Sequence, residues 1–180
     1  DETAGAVYLG SDNNTVKNSI FTNNSANSGG AIYSDVNDEL YVLNSKFNYN
    51  SAQEYGGAIM ADDYANIVNS TFNSNNATTG GAVYSDSEAD FSNSTFLNNK
   101  ATNGGAITVN DGTIVNSTFN SNTSNNSDCD IFLRSDQKVA KAVKAYIVSC
   151  TLSDGRLYSQ SCNAWCYNSV FEGYYANGTN

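Results

Sequence analysis

The sequence predicts an all-β fold, a parallel β-helix of about seven coils of roughly 24 residues each, from two motifs that recur at one period and from the residue types between them. The first motif, Gly29-Gly30-Ala31-Ile32-Tyr33, returns as Gly56-Gly57-Ala58-Ile59-Met60, Gly80-Gly81-Ala82-Val83-Tyr84 and Gly104-Gly105-Ala106-Ile107-Thr108. Ala4-Gly5-Ala6-Val7-Tyr8 is an earlier copy and Asp128-Cys129-Asp130-Ile131-Phe132 a degenerate later one, so successive copies start 25, 27, 24, 24 and 24 residues apart. The second motif follows each copy as Asn18-Ser19-Ile20-Phe21, Asn44-Ser45-Lys46-Phe47, Asn69-Ser70-Thr71-Phe72, Asn93-Ser94-Thr95-Phe96 and Asn116-Ser117-Thr118-Phe119. Between the motifs, apolar residues come in short β-branched and aromatic runs divided by Gly and Asn, with no sustained helical period. Such runs are strands. A unit of this size holds three short strands and three turns and cannot bury an apolar side alone, so the units must stack.

Each recurring residue then has a place. Phe21, Phe47, Phe72, Phe96 and Phe119 are expected to point inward as an aromatic column, each burial contributing roughly 1.5 to 3 kcal/mol. Five residues before them stand Val16, Val42, Ile67, Phe91 and Ile114, a second apolar column. The Ser two positions before each Phe faces the same way by strand alternation, and Cys150 fills that slot in the sixth coil. With no His in the chain to activate it, this Ser reads as a small packing residue and not a nucleophile. Asn18, Asn44, Asn69, Asn93 and Asn116 fall at a turn, where Asn tolerates left-handed backbone and its amide can bond the stacked neighbour. Three residues after each Phe stands a further Asn (24, 50, 75, 99, 122), followed two positions on by a small residue. The paired glycines permit a positive φ or a close approach of coils; neither dinucleotide nor P-loop spacing accompanies them. The frame runs on through Ile147 to Leu152 and Cys166 to Phe171.

The coupled Gly-Gly-Ala-Ile and Phe-x-x-Asn motifs resemble the repeats of the chlamydial polymorphic membrane proteins, and the Asn-rich version is similar to adhesin-like surface proteins of methanogenic archaea. The resemblance is clear from residue 4 to about 125 and weak beyond. It implies a right-handed, single-stranded parallel β-helix on a cell-surface or secreted protein used in adhesion, without implying a ligand.

Charge narrows the partners. Eighteen acids against 8 bases, a net charge of −10, repel phosphate backbones and anionic headgroups, so no nucleic acid is expected. No window approaches the roughly 18 apolar residues of a membrane helix, so no membrane insertion is expected within this chain. Asp35, Asp62 and Asp86 recur in consecutive coils; carboxylates about 4.8 Å apart repel by only about 1 kcal/mol in water, which permits a calcium ion without requiring any cofactor. Tyr8, Tyr33 and Tyr84, in register with Met60, Thr108 and Phe132, either form an exposed stripe for a sugar or protein or pack beneath the loops. Sequons at Asn13, Asn23, Asn76, Asn122, Asn125 and Asn177 are glycosylation candidates; those at Asn69, Asn93 and Asn116 belong to the turn ladder and are excluded if their side chains face inward.

Residues 1–127 hold 13 acids and 3 bases whereas 128–180 hold 5 of each, and the second part also carries all four Cys and the single Trp. Residues 128–180 are therefore read as degenerate coils and a cap of the same domain. An even Cys count suggests that Cys129, Cys150, Cys162 and Cys166 form two disulfides stapling this cap. Gln137 to Ala145 fits a short helix or a charged hairpin equally well. At the other end, strand edges exposed before Ala4 are expected to be covered by further repeats or by the next subunit of a head-to-tail assembly.

The function expected is a non-enzymatic, adhesin-like or structural module, extracellular or on the cell surface, that binds a glycan or a surface protein or self-assembles along the rod. The alternative is a polysaccharide-active lyase or hydrolase using Asp62 and Asp86, since β-helices host such enzymes. The column Thr71, Thr95, Thr118 and Thr151 raises an ice-binding face as a third reading.

Overall fold

The computed structural model describes residues 3–11, 13–35, 39–125, 130–134, 144–153, 157–160, 163–171 and 175–178. Its regular structure is all strand, arranged in three long sheets with every pairing parallel. The first sheet stacks Val7–Leu9, Ile32–Ser34, Ile59–Ala61, Val83–Ser85, Ile107–Val109, Ile131–Leu133, Leu157–Gln160 and Tyr175–Gly178. The second stacks Asn14–Lys17, Leu40–Leu43, Ala65–Val68, Ala89–Ser92, Gly112–Val115, Lys144–Val148 and Asn163–Tyr167. The third runs from Ile20–Thr22 through Lys46–Asn48, Thr71–Asn73, Thr95–Leu97, Thr118–Asn120 and Thr151–Ser153 to Val170–Phe171. Each coil thus gives one strand to each sheet, and motif residues pair with their counterparts, as in Ile32 with Ile59 and Phe72 with Phe96.

Alternation along each strand decides what is buried. Phe47, Phe72, Phe96 and Phe119 are fully buried and stack with centroids 4.7 to 4.9 Å apart and planes within 5° of parallel. Phe91 meets Phe96 edge-on at 5.7 Å, and Val42, Ile67, Ile114 and Ile147 continue its column. The two glycines of each pair do different work. The first, Gly29, Gly56, Gly80 or Gly104, holds φ between +61° and +66°. The second approaches the next coil so closely that a Cβ on Gly57 would lie 2.1 Å from the Gly81 carbonyl oxygen.

Two side-chain ladders run the length of the regular coils. In the Ser slot, each amide donates to the Oγ of the next coil, as Ser45 N to Ser70 Oγ at 3.1 Å, while the hydroxyl donates to the carbonyl two residues before it. Both functions of the hydroxyl are consumed, which supports the packing role. The second ladder is Asn24, Asn50, Asn75, Asn99 and Asn122. Asn75 shows the pattern: its Nδ2 donates to Asn99 Oδ1 and to the Phe47 carbonyl, both at 3.0 Å. Its Oδ1 accepts both the backbone and the side-chain amide of Asn50 at 2.9 and 3.0 Å. A buried amide so placed leaves no donor unused.

Two expectations are corrected, and a third falls mostly outside the described residues. The regular solenoid is five turns and not seven: beyond Ser124 the interval between Phe-slot residues stretches to 33 residues, from Phe119 to Leu152, then shrinks to 19, and the later strands extend the sheets without the period. The two-disulfide staple is not seen. Cys150 and Cys166 both carry unbridged thiols, while Cys129 and Cys162 lie outside the described residues. Cys150 occupies the Ser slot as expected, its amide donating to Ser169 Oγ at 3.2 Å and its thiol to the Val148 carbonyl at 3.3 Å, so a small buried thiol serves where the other coils use Ser. Burial raises this thiol's pKa and holds it protonated. The helix or hairpin considered for 137–145 falls mostly outside the described residues; Lys144 and Ala145 belong to a strand of the second sheet.

Candidate functional site

Apolar columns fill the interior of the described coils, and the outer faces and corners carry the remaining side chains. On the first sheet, Tyr8, Tyr33, Met60, Tyr84, Thr108 and Phe132 do fall in register. They do not form one stripe. Tyr8 is 54% exposed and stacks on a half-buried Tyr33 at 5.7 Å, whereas Met60, Tyr84 and Thr108 are covered. Tyr55 leans on the Tyr84 ring at 4.7 Å, and the Arg134 guanidinium lies over that ring 5.0 Å from its centroid. The column is thus open at Tyr8 and packed beneath its neighbours from Met60 to Thr108.

Beside this column run the carboxylates considered for calcium. Tyr8 donates its hydroxyl to Asp35 and Tyr33 to Asp62 at 2.5 Å, in each case one coil on, while Tyr84 donates to Asp86 of its own coil at 2.9 Å. Arg134 closes the row by pairing with Asp86 and donating from Nε to Asn110 Oδ1 at 2.9 Å. Partial burial pushes the Asp62 carboxyl above its ordinary range; the Tyr33 hydroxyl pulls it back, and Asp35 and Asp86 add to the rise. Burial, reinforced by the bond to Asp62, likewise pushes the Tyr33 hydroxyl well up. Among the described residues no group of three or more His, Cys, Asp or Glu is placed to hold a metal ion.

The second sheet carries a face that the sequence reading missed. Its outer column is Lys17, Leu43, Val68, Ser92, Val115, Val148 and Tyr167, aliphatic at four positions where alternation calls for polar residues. The adjoining outer column is Thr15, Tyr41, Asn66, Asp90, Thr113 and Tyr146. Tyr64 meets Tyr41 edge-on at 6.4 Å and donates to Asp90 at 2.8 Å, and Asp90 also accepts the Thr113 amide at 2.8 Å. Burial foremost, with that bond, pushes the Tyr64 hydroxyl up to about 12. Tyr146 and Tyr167 are 39% and 51% exposed. The available signal was the residue four before each Phe, which is aliphatic in three of the five regular coils.

The corner between the second and third sheets bears Asn18, Asn44, Asn69, Asn93 and Asn116, with φ between +47° and +51°. Their side chains are exposed, and their amides bond along the corner, Asn69 to Asn44 at 2.7 Å and Asn116 to Asn93 at 2.6 Å. The exclusion of their sequons on the ground of inward side chains is therefore lifted. Asn13, Asn23, Asn76 and Asn125 are also exposed. Asn122 is corrected: it is 6% exposed, and its amide is committed to Asn99 and the Phe96 carbonyl, so no glycan fits there with the ladder intact. The side chain of Asn177 lies outside the described residues.

This geometry can be set against known proteins. The family model of the Chlamydia polymorphic membrane protein repeat matches residues 18–35, 44–62 and 93–110. The chain's repeat is similar to that one. Each matched segment begins at a corner Asn with φ near +50°, crosses the Phe column, the inner Asn and the glycine pair, and ends where the first-sheet strand leaves the core. What the match covers is thus the structural frame, and the outer columns of the second sheet lie outside it in the coils concerned. No curated protein and no solved structure matches the chain, and nothing found supports the archaeal resemblance.

Proposed function

We propose that the chain is a non-enzymatic, adhesin-like structural module of a cell-surface or extracellular protein, which presents the outer face of its second sheet to a protein or glycan partner. The matched repeat and the parallel solenoid fit a surface module of this kind. The observation that carries the choice of face is the aliphatic column of Leu43, Val68, Val115 and Val148 on the outside of the second sheet, with Lys17 at one end, Tyr167 at the other, and Tyr41 and Tyr146 in the adjoining column. Apolar side chains lined up in this way and rimmed by polar groups mark interaction surfaces. The carboxylates of the lyase or hydrolase alternative are engaged otherwise, Asp62 by Tyr33 and Asp86 by Tyr84 and Arg134. Its acid pair therefore has structural partners already.

Binding of the whole chain to a glycan array and to cell-surface protein extracts tests this reading, with Leu43→Asp and Val115→Lys compared against Tyr8→Ser and Tyr33→Ser. Loss of binding confined to the first pair supports it. Loss confined to the second pair moves the site to the first sheet, and release of new reducing ends from a polysaccharide panel would overturn the non-enzymatic reading.

A further inference from the structure

Three outer columns lie side by side on the second sheet, and their chemistry changes in order across it. Backbone amides of Asn14, Leu40, Ala65 and Ala89 donate to the carbonyls of Glu39, Tyr64, Glu88 and Asp111, which puts those four residues in one register just ahead of the strands. By alternation this column shares the outer face with Tyr41, Asn66, Asp90 and Thr113, and then with Leu43, Val68, Val115 and Val148. At two residues per step the columns stand about 6.6 Å apart, so the acidic and aliphatic edges are separated by about 13 Å. Glu39 and Glu88 are exposed and Asp111 half-buried. Glu39 and Asp90 accept the Tyr41 and Tyr64 hydroxyls, neutral donors that leave the carboxylate charge in place. Bases stand only toward the ends of the face, Lys17 in the first coil and Lys144 in the sixth.

Such a face selects its partner by backbone and by charge. The strand amides and carbonyls point along the rod to adjacent coils, so an extended chain laid on the face would give up water from its backbone and gain no bond in return. A helix brings its backbone bonds with it. A sugar is served poorly, because the Tyr41 and Tyr64 hydroxyls are already donated and the aliphatic column offers its hydroxyls no partner. We propose that this face docks an amphipathic helix of a partner protein, laid along the rod with its apolar stripe on Leu43, Val68 and Val115 and a row of Lys or Arg beside the acidic column. The proposal rests on the reading of the second sheet as the binding face and narrows its partner to a basic helix. The dimensions agree. With coils about 4.8 Å apart, the four steps from Leu43 to Val148 span about 19 Å, roughly three and a half helical turns. A helix about 10 to 12 Å across, side chains included, reaches from the aliphatic column to the acidic one.

The test uses the whole chain and three synthetic peptides of about 18 residues: a helix with a leucine stripe and lysines along one flank, the same helix with glutamates for the lysines, and the lysine composition shuffled to destroy the stripe. In fluorescence titrations at low salt the lysine helix is expected to bind at least about tenfold tighter than either control. Val68→Asp should weaken it about tenfold or more, by placing a charge under the leucines. Glu39→Gln combined with Glu88→Gln should weaken it about two- to tenfold at low salt and little at about 1 M salt. Thermal melts check that the variants fold; if Val68→Asp does not, the exposed glutamine pair decides. Equal binding of the lysine and glutamate helices overturns the proposal, as does lysine-helix binding that ignores these substitutions. An array glycan or extracted protein whose binding is lost with Leu43→Asp, while the lysine helix does not bind at all, overturns the helix and leaves the face standing. Absence of binding by glycan, protein and helix alike removes both.

Discussion

Two columns of asparagine flank the third strand of every regular coil, six residues apart, and they do opposite things. The inner column, Asn50, Asn75 and Asn99, is fully buried and spends its donors and acceptor on neighbouring coils. The outer column, Asn44, Asn69 and Asn93, is exposed and sits in the left-handed region. Left-handed backbone alone does not demand asparagine here, since Tyr49, Ser74 and Ser121 adopt it just before the inner column. The inner residue is held by its amide and the outer by its backbone angle with some help from its amide. Residue type is shared, and the physical cause is not.

Truncation of the core sets the scale for breaking this contrast. Phe72→Ala should cost about 3 to 5 kcal/mol, as other buried Phe truncations do, read from denaturation midpoints. Asn75→Leu should come close, at least about 3 kcal/mol, because it strands the two Asn50 amides and the Phe47 carbonyl in the interior. At the outer column, Asn69→Ala should cost about 1 to 2 kcal/mol for placing an alanine at positive φ, and Asn69→Gly less than about 0.5 kcal/mol. Equal costs for Asn75→Leu and Asn69→Gly would erase the distinction.

Much of this frame is legible in the sequence because it is local and periodic. The Phe column, the Ser slot with Cys150 in it, the glycine pairs and the left-handed outer Asn each follow from residue type at a fixed phase. The inner Asn column is visible as a recurrence but carries no sign of its burial, because the left-handed residue before it reverses the direction its side chain takes. For the same reason Asn122 reads as an open sequon. Contacts that depend on irregular segments are not legible at all: Arg134 reaches Asp86 across 48 residues of sequence, and nothing local announces it. The aliphatic outer column of the second sheet runs against strand alternation, which places polar residues there.

Smaller effects sharpen the picture of the outer faces. The raised Asp62 carboxyl favours its protonated form in the folded state, so its contribution to stability is present below the ordinary value of 3.8 and is lost as pH rises through the folded value. Asp62→Asn should therefore raise Tm by about a degree or two at pH 7, with the gain vanishing near pH 3 in a thermal melt series. Cys150→Ser should change stability by less than about 1 kcal/mol, since every regular coil uses Ser in that slot. Thiol titration of the unfolded, unreduced chain should find Cys150 and Cys166 free; their absence from the titration would restore the disulfide cap.

The contrast between the two asparagine columns is tested most directly by hydrogen exchange at the side-chain amides themselves, resolved by NMR in the whole chain. The Nδ2 protons of Asn50, Asn75 and Asn99 should exchange only through global opening, slower by orders of magnitude than those of Asn44, Asn69 and Asn93, which face water. Equally fast exchange in both columns would contradict the buried ladder and, with it, the register on which the whole rod is built.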